Sequence, residues 1–155
     1  MKTVTVRAFV ALSFLWAGVS LGGNLIAAPA KFTVETLPLP LALQVGRAQF
    51  HWLGYAEVIL ALMLVAMSPR ITRRSGLTML VALCALAAQQ GVLLPQLSAR
   101  TDLIVSGQTP AGTSPHLIFV CAEAVKFAAL IATGCFALSR AVSPPSYRRS
   151  QHANP

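Results

Sequence analysis

The chain has 155 residues, of which 55% are hydrophobic and only 10% charged, with a formal net charge of +8 and a mean hydropathy of +0.68. A soluble domain carries roughly a quarter charged residues, so this composition excludes a water-soluble enzyme and a disordered chain. It also lacks the polar basic surface that a nucleic-acid binder displays. A small integral membrane protein remains.

Four apolar stretches approach the roughly 20 residues that a helix needs to cross a bilayer. They predict an all-α, four-transmembrane-helix bundle in one domain over residues 1–140, followed by a flexible basic tail over 141–155. The first helix is expected from Ala8 to Ala28, with Gly18, Gly22 and Gly23 as close-packing positions. Lys2, Arg7 and the small-x-small run Ala28-Pro29-Ala30 also fit a cleaved signal peptide, but the apolar run is long for one and is read as a retained helix. The second helix, Val45 to Met67, carries Arg47, His51 and Glu57 and is the least apolar. Parity supports it, because without it the basic connector at Arg70, Arg73 and Arg74 would lie opposite one of the basic termini. The third, Gly76 to Leu94, has no charge, and Ser75 is its expected N-cap. The fourth, Pro115 to Leu138, opens on Ser114-Pro115 and contains Glu123 and Lys126. Pro29, Pro69 and Pro95 are expected just past helix ends, leaving residues 29–44 and 95–113 as connectors. No internal repeat is visible.

Basic residues near helix ends set the orientation. Lys2, Arg7, Arg70, Arg73, Arg74, Arg140, Arg148 and Arg149 fall on one side, and Lys31, Arg47 and Arg100 on the other. Eight against three puts both termini in the cytoplasm, in a membrane expected to be the bacterial cytoplasmic (inner) one. Cys84, Cys121 and Cys135 lie in apolar helices without C-x-x-C spacing and read as small buried residues.

Depth within the helices is the informative feature. At 1.5 Å per residue from the outer ends, His116 lies roughly 3 Å in, Gln89 and Gln90 roughly 8 Å, His51 roughly 9 Å, Glu123 roughly 14 Å, and Glu57 and Lys126 roughly 17 Å. All of these fall in the outer half or at the midplane of a core about 30 Å thick, together with Asn24, and the cytoplasmic half is almost purely apolar. His116, Glu123 and Lys126 form one polar stripe, and Arg47, His51 and Tyr55 another, with Glu57 displaced toward Gly54 and Ala61. Charges at this depth should face the bundle interior and pair, Glu57 and Glu123 against Arg47 and Lys126. Two readings compete. One is a structural network with a midplane Glu57–Lys126 pair bridged by Gln89 or Gln90; the other is an outward-open, solvated pocket. The second gives a candidate ligand-binding set of Arg47, His51, Glu57, Gln89, Gln90, His116, Glu123 and Lys126.

The run Gly23-Asn24-Leu25-Ile26-Ala27-Ala28-Pro29-Ala30-Lys31-Phe32, then Leu37-Pro38 and Gly46-Arg47-Ala48-Gln49-Phe50, resembles the junction of helices one and two in the transmembrane protein 205-like family of four-helix membrane proteins. Leu94-Pro95, Arg100 and His116 agree with the junction of helices three and four. The resemblance covers most of the chain through short motifs. It implies the four-helix architecture more than an activity, the family being associated with membrane trafficking or solute export. Where that family tends to carry an Asn seven residues after the helix-four His, this chain has Glu123, followed by Lys126.

No Ser/His/Asp order, H-E-x-x-H, P-loop or dinucleotide motif is present in the sequence. His51 and His116 could serve as haem or copper ligands, but without Met or Cys at their depth the simpler reading is interfacial histidines. The expected function is binding or transport of a small solute or ion through an outward-facing polar pocket. Its rivals are an accessory subunit of a larger membrane complex and a small membrane-embedded enzyme or haem/metal redox protein. The expected partners are the lipid bilayer, a small polar or amphipathic solute, and a membrane-protein partner or second copy; no cofactor is named and no nucleic acid is expected.

Overall fold

The computed structural model describes residues 2–68 and 72–142. Its helices are α1 (Lys2–Ser20), α2 (Leu39–Ala66), α3 (Arg73–Ala88), α4 (Leu94–Val105) and α5 (His116–Val142), with no strand among the described residues. Leu21–Ala27 is a π-helical segment that carries α1 into Ala28–Ala30 and the 3₁₀ turn Lys31–Thr33, and a second one, Gln89–Leu93, joins α3 to α4 without a break. Four helical spans are long and apolar enough to cross a membrane: Thr5–Thr33, Leu39–Ala66, Arg73–Val105 and His116–Ser139.

The helices outrun the sequence-based boundaries, and the prolines explain how. Pro29 and Pro95 lie inside continuous helix rather than beyond its ends. A proline has no N–H to return to the preceding turn, and in both places the residue just before it bonds one residue further back than an α-helix allows. Ala28 N–H reaches Gly23 O and Leu94 N–H reaches Gln89 O. Such π turns absorb the defect and gather at functional sites. The third span stops instead at Gly107, whose φ of 78° completes a Schellman closure, Gln108 N–H donating to Leu103 O at 2.8 Å. One cap assignment also changes. Thr72, not Ser75, caps α3, its hydroxyl accepting from Ser75 N–H at 3.0 Å. The Ser114 hydroxyl does accept from His116 N–H, at 3.3 Å.

Packing runs in a ring. α5 lies between α1 and α3, while α2 lies against α1 and α4 and is the least enclosed of the four spans. Phe9, Leu12, Trp16, Leu64, Leu86 and Leu130 form the apolar core at the Arg73 end. The buried Ser13, Ser75 and Thr133 also lie on the inward faces, so the interior is less purely apolar than expected; Ser13 and Thr133 return their hydroxyls to carbonyls one turn back. Of the three glycines expected to pack closely, only Gly23 does, against Leu53. Cys84, Cys121 and Cys135 are exposed, not buried. In a membrane the surroundings are as apolar as the core, so a small apolar side chain gains little by facing inward. Of the expected tail, Ala141 and Val142 continue α5. Arg70, Arg148, Arg149, residues 143–155 and the side chains of Lys2 and Arg140 lie outside what is described.

Candidate functional site

All four spans contribute to one buried polar cluster. From α5, Lys126 donates to both carboxylate oxygens of Glu57 on α2, at 2.8 and 2.7 Å. It also donates to Gln89 Oε1 at 2.9 Å and lies 3.0 Å from Glu123 Oε2, one turn back on its own helix. Gln89, first residue of the second π segment, donates from Nε2 to Glu123 Oε2 at 2.7 Å. Ser20, last residue of α1, closes the ring on Glu123 Oε1. Glu57, Gln89, Glu123 and Lys126 are each 1% exposed or less. At that burial a charge needs a complete set of partners, and the bonds named here supply nearly all of it. Trp16 is the exception: its indole N–H is buried without a hydrogen-bond partner, although it lies close to Glu57.

A separate cavity of about 290 Å³ lies beside Lys31 and the first turns of α4. Leu25, Leu43, Phe50, Leu94 and Leu97 make its wall largely apolar, and Asn24, Lys31, Arg47 and His116 supply its polar groups. The local sequence arranges these. Gly46 has no side chain, and a Cβ there would collide with the Lys31 ammonium group, which instead rests 5.2 Å from the centroids of Phe32 and Phe50. Arg47 pairs with Asp102 on α4 at 2.6 Å and donates to Ser98 O at 3.3 Å. Two buried polar atoms at the cavity have no partner: Asn24 Oδ1 and Arg47 Nε. Phe119 touches residues of both cavity and cluster. Its ring packs 5.2 Å from Phe50, and its carbonyl accepts from Gln89 Nε2 at 3.4 Å.

The eight sequence-derived residues therefore divide. Glu57, Gln89, Glu123 and Lys126 meet in the cluster, with the expected Glu57–Lys126 pair at its centre. Arg47 and His116 line the cavity. Gln90 packs over Gly54. His51 is exposed and outside the cavity wall, as are Tyr55 and Trp52, so the second stripe does not face inward as a whole. The expected charge balance also changes: Arg47 turns to Asp102, an acid without a role in the sequence-based reading, and both buried glutamates are left to Lys126. Ser20, Trp16 and Lys31 were likewise missed. Ser13, Trp16, Ser20 and Asn24 recur every three or four residues along the first span, a helical-face signal that could have exposed two of them.

Compared with known families, curated proteins and solved structures, the chain has no match.

Proposed function

We propose that the chain is an integral membrane protein of a bacterial inner membrane, with cytoplasmic termini and an outward cavity that binds a small amphipathic solute carrying an anionic head. The observation that carries this reading is the cavity wall: Lys31, Arg47 and His116 stand around a mostly apolar space, with Arg47 Nε and Asn24 Oδ1 buried and unspent. Pockets for small molecules combine an apolar wall with a few convergent polar groups in this way. The basic-residue count supports the orientation, and the four membrane-length apolar helices support the architecture.

The test uses the protein in lipid nanodiscs with decanoate as the anionic probe and decyltrimethylammonium as its cationic counterpart. Decanoate should raise the melting temperature, and Lys31→Gln or Arg47→Gln should reduce the shift. Equal shifts from both probes, or none from either, would remove the solute-binding reading. Orientation is read separately by cysteine labelling: Thr109→Cys should react from outside intact cells and Thr72→Cys only from inside.

A further inference from the structure

The cluster is out of charge balance. Two carboxylates, Glu57 and Glu123, share one ammonium group, Lys126, and none of the three is more than 1% exposed. Every packed helix has been accounted for: the first span offers Ser20 and Trp16, α2 offers Glu57, the third span offers Gln89, and α5 offers Glu123 and Lys126. Arg47, the cation that could have restored neutrality, is held by Asp102 at the cavity. An uncompensated negative charge sealed between helices is far costlier than the uptake of one positive charge from water.

The hydrogen-bond inventory says where that charge fits. Lys126 donates to both oxygens of Glu57 and to Gln89 Oε1, and meets Glu123 Oε2 as an ion pair at 3.0 Å. Glu123 Oε2 accepts from Gln89 and faces Lys126, so it has no room for a hydrogen. Glu123 Oε1 meets only the Ser20 hydroxyl, which serves equally well as donor or acceptor. A proton on Oε1 donates to Ser20 Oγ and leaves every other bond unchanged.

We propose that this cluster is a binding site for one proton, taken up from water by the Glu57–Glu123 pair and held on Glu123 against Ser20. The proton belongs to the pair, since the two carboxylates are coupled through Lys126. The site is distinct from the solute cavity and stands whether or not that cavity binds anything.

Infrared spectroscopy of the protein in lipid vesicles at neutral pH, with the glutamate side-chain carboxyls carbon-13 labelled, tests it. The chain has four acidic residues, Glu35, Glu57, Asp102 and Glu123, so few bands compete. The wild type should show a label-sensitive carbonyl band of a protonated glutamic acid. Glu57→Gln and Glu123→Gln should each lose it, because each leaves one carboxylate for one ammonium. Lys126→Met should strengthen it. Glu35→Gln, at an exposed position, should keep it, and this variant and the wild type suffice if the buried variants fail to fold. The proposal is overturned by a wild type without the band, by a band that Glu35→Gln removes, or by a band that survives both buried glutamine substitutions. Absence of the band together with a melting temperature raised by sodium would put a metal cation in the proton's place and equally overturn it.

Discussion

His116 and Glu123 stand seven residues apart on one helix, yet they belong to opposite kinds of environment. Around Glu123, side chains from all four spans converge and almost every polar atom is bonded. Around His116, cations line a space they do not fill, and polar atoms are left over. The difference lies in what faces the charge. In the cluster, Gln89 and Ser20 bring hydrogen-bonding groups at the π turns, whereas at the cavity the neighbouring spans present leucine and phenylalanine. A closed, satisfied network fixes how helices pack; an open one with unspent donors is a place for something else to bind.

The largest expected effect comes from breaking the closed side. Lys126→Met leaves the buried carboxyl groups of Glu57 and Glu123 without their cation, and loss of one partner from a buried ion pair costs about 3–5 kcal/mol. Unfolding in mixed micelles should show this loss, with Glu57→Gln much milder because Glu123 and Lys126 remain as a neutral pair. The Glu57→Gln/Lys126→Met cycle should give coupling well above zero. Equal costs for the two single variants would mean that the charges are not held as the geometry shows.

Next is the contact between the two regions. Phe119→Ala removes the ring that rests on Phe50, and truncating a buried phenylalanine costs about 3 kcal/mol. Its more specific consequence is hydration. On a background lacking the three native cysteines, cysteine at Val120 should react with a water-soluble reagent in the wild type and cysteine at Leu130 should not. Phe119→Ala should extend reactivity to position 123. If Val120 is as protected as Leu130 before the change, the cavity is dry and the contrast between the two regions collapses.

How much of this was legible in the sequence follows from the same contrast. Span count and the Glu57–Lys126 pair could be read because hydropathy and depth along a helix are nearly one-dimensional properties. Where Pro29 and Pro95 stood, a local rule misled: proline predicts a helix end, and the chain instead shifted its bonding by one residue and went on. Arg47 was misassigned because its partner, Asp102, lies in a stretch read as a connector that turned out to be α4. His51 was placed inside by its spacing from Arg47, although α2 packs on α1 and α4 and leaves that face open. Pairing between spans depends on their rotation, which hydropathy does not record.

A smaller effect should separate binding from stability. Gly46→Ala adds a methyl group where the Lys31 ammonium lies. Alanine is favoured over glycine within a helix by about 1 kcal/mol, which offsets the cost of moving a flexible lysine. Melting without ligand should therefore change little, while the decanoate shift falls. A large loss of stability with an unchanged shift would place Lys31 outside the binding role.

The smallest stability effect is expected at the rim, and its sign on binding is the opposite. Asp102 is well exposed, with 67% of its side chain accessible against 30% for Arg47, and such pairs contribute at most about 1 kcal/mol. Asp102→Asn should thus leave unfolding almost unchanged. It removes the one carboxylate that neutralises Arg47, so the positive potential at the cavity rises and decanoate should bind more tightly, most visibly at low salt. Arg47 retains its bond to Ser98 O, which keeps the guanidinium near its place. Weaker decanoate binding in Asp102→Asn would show that the carboxylate orients Arg47 more than it neutralises it, and the salt dependence distinguishes the two: a lost field weakens with added salt, a lost orientation does not.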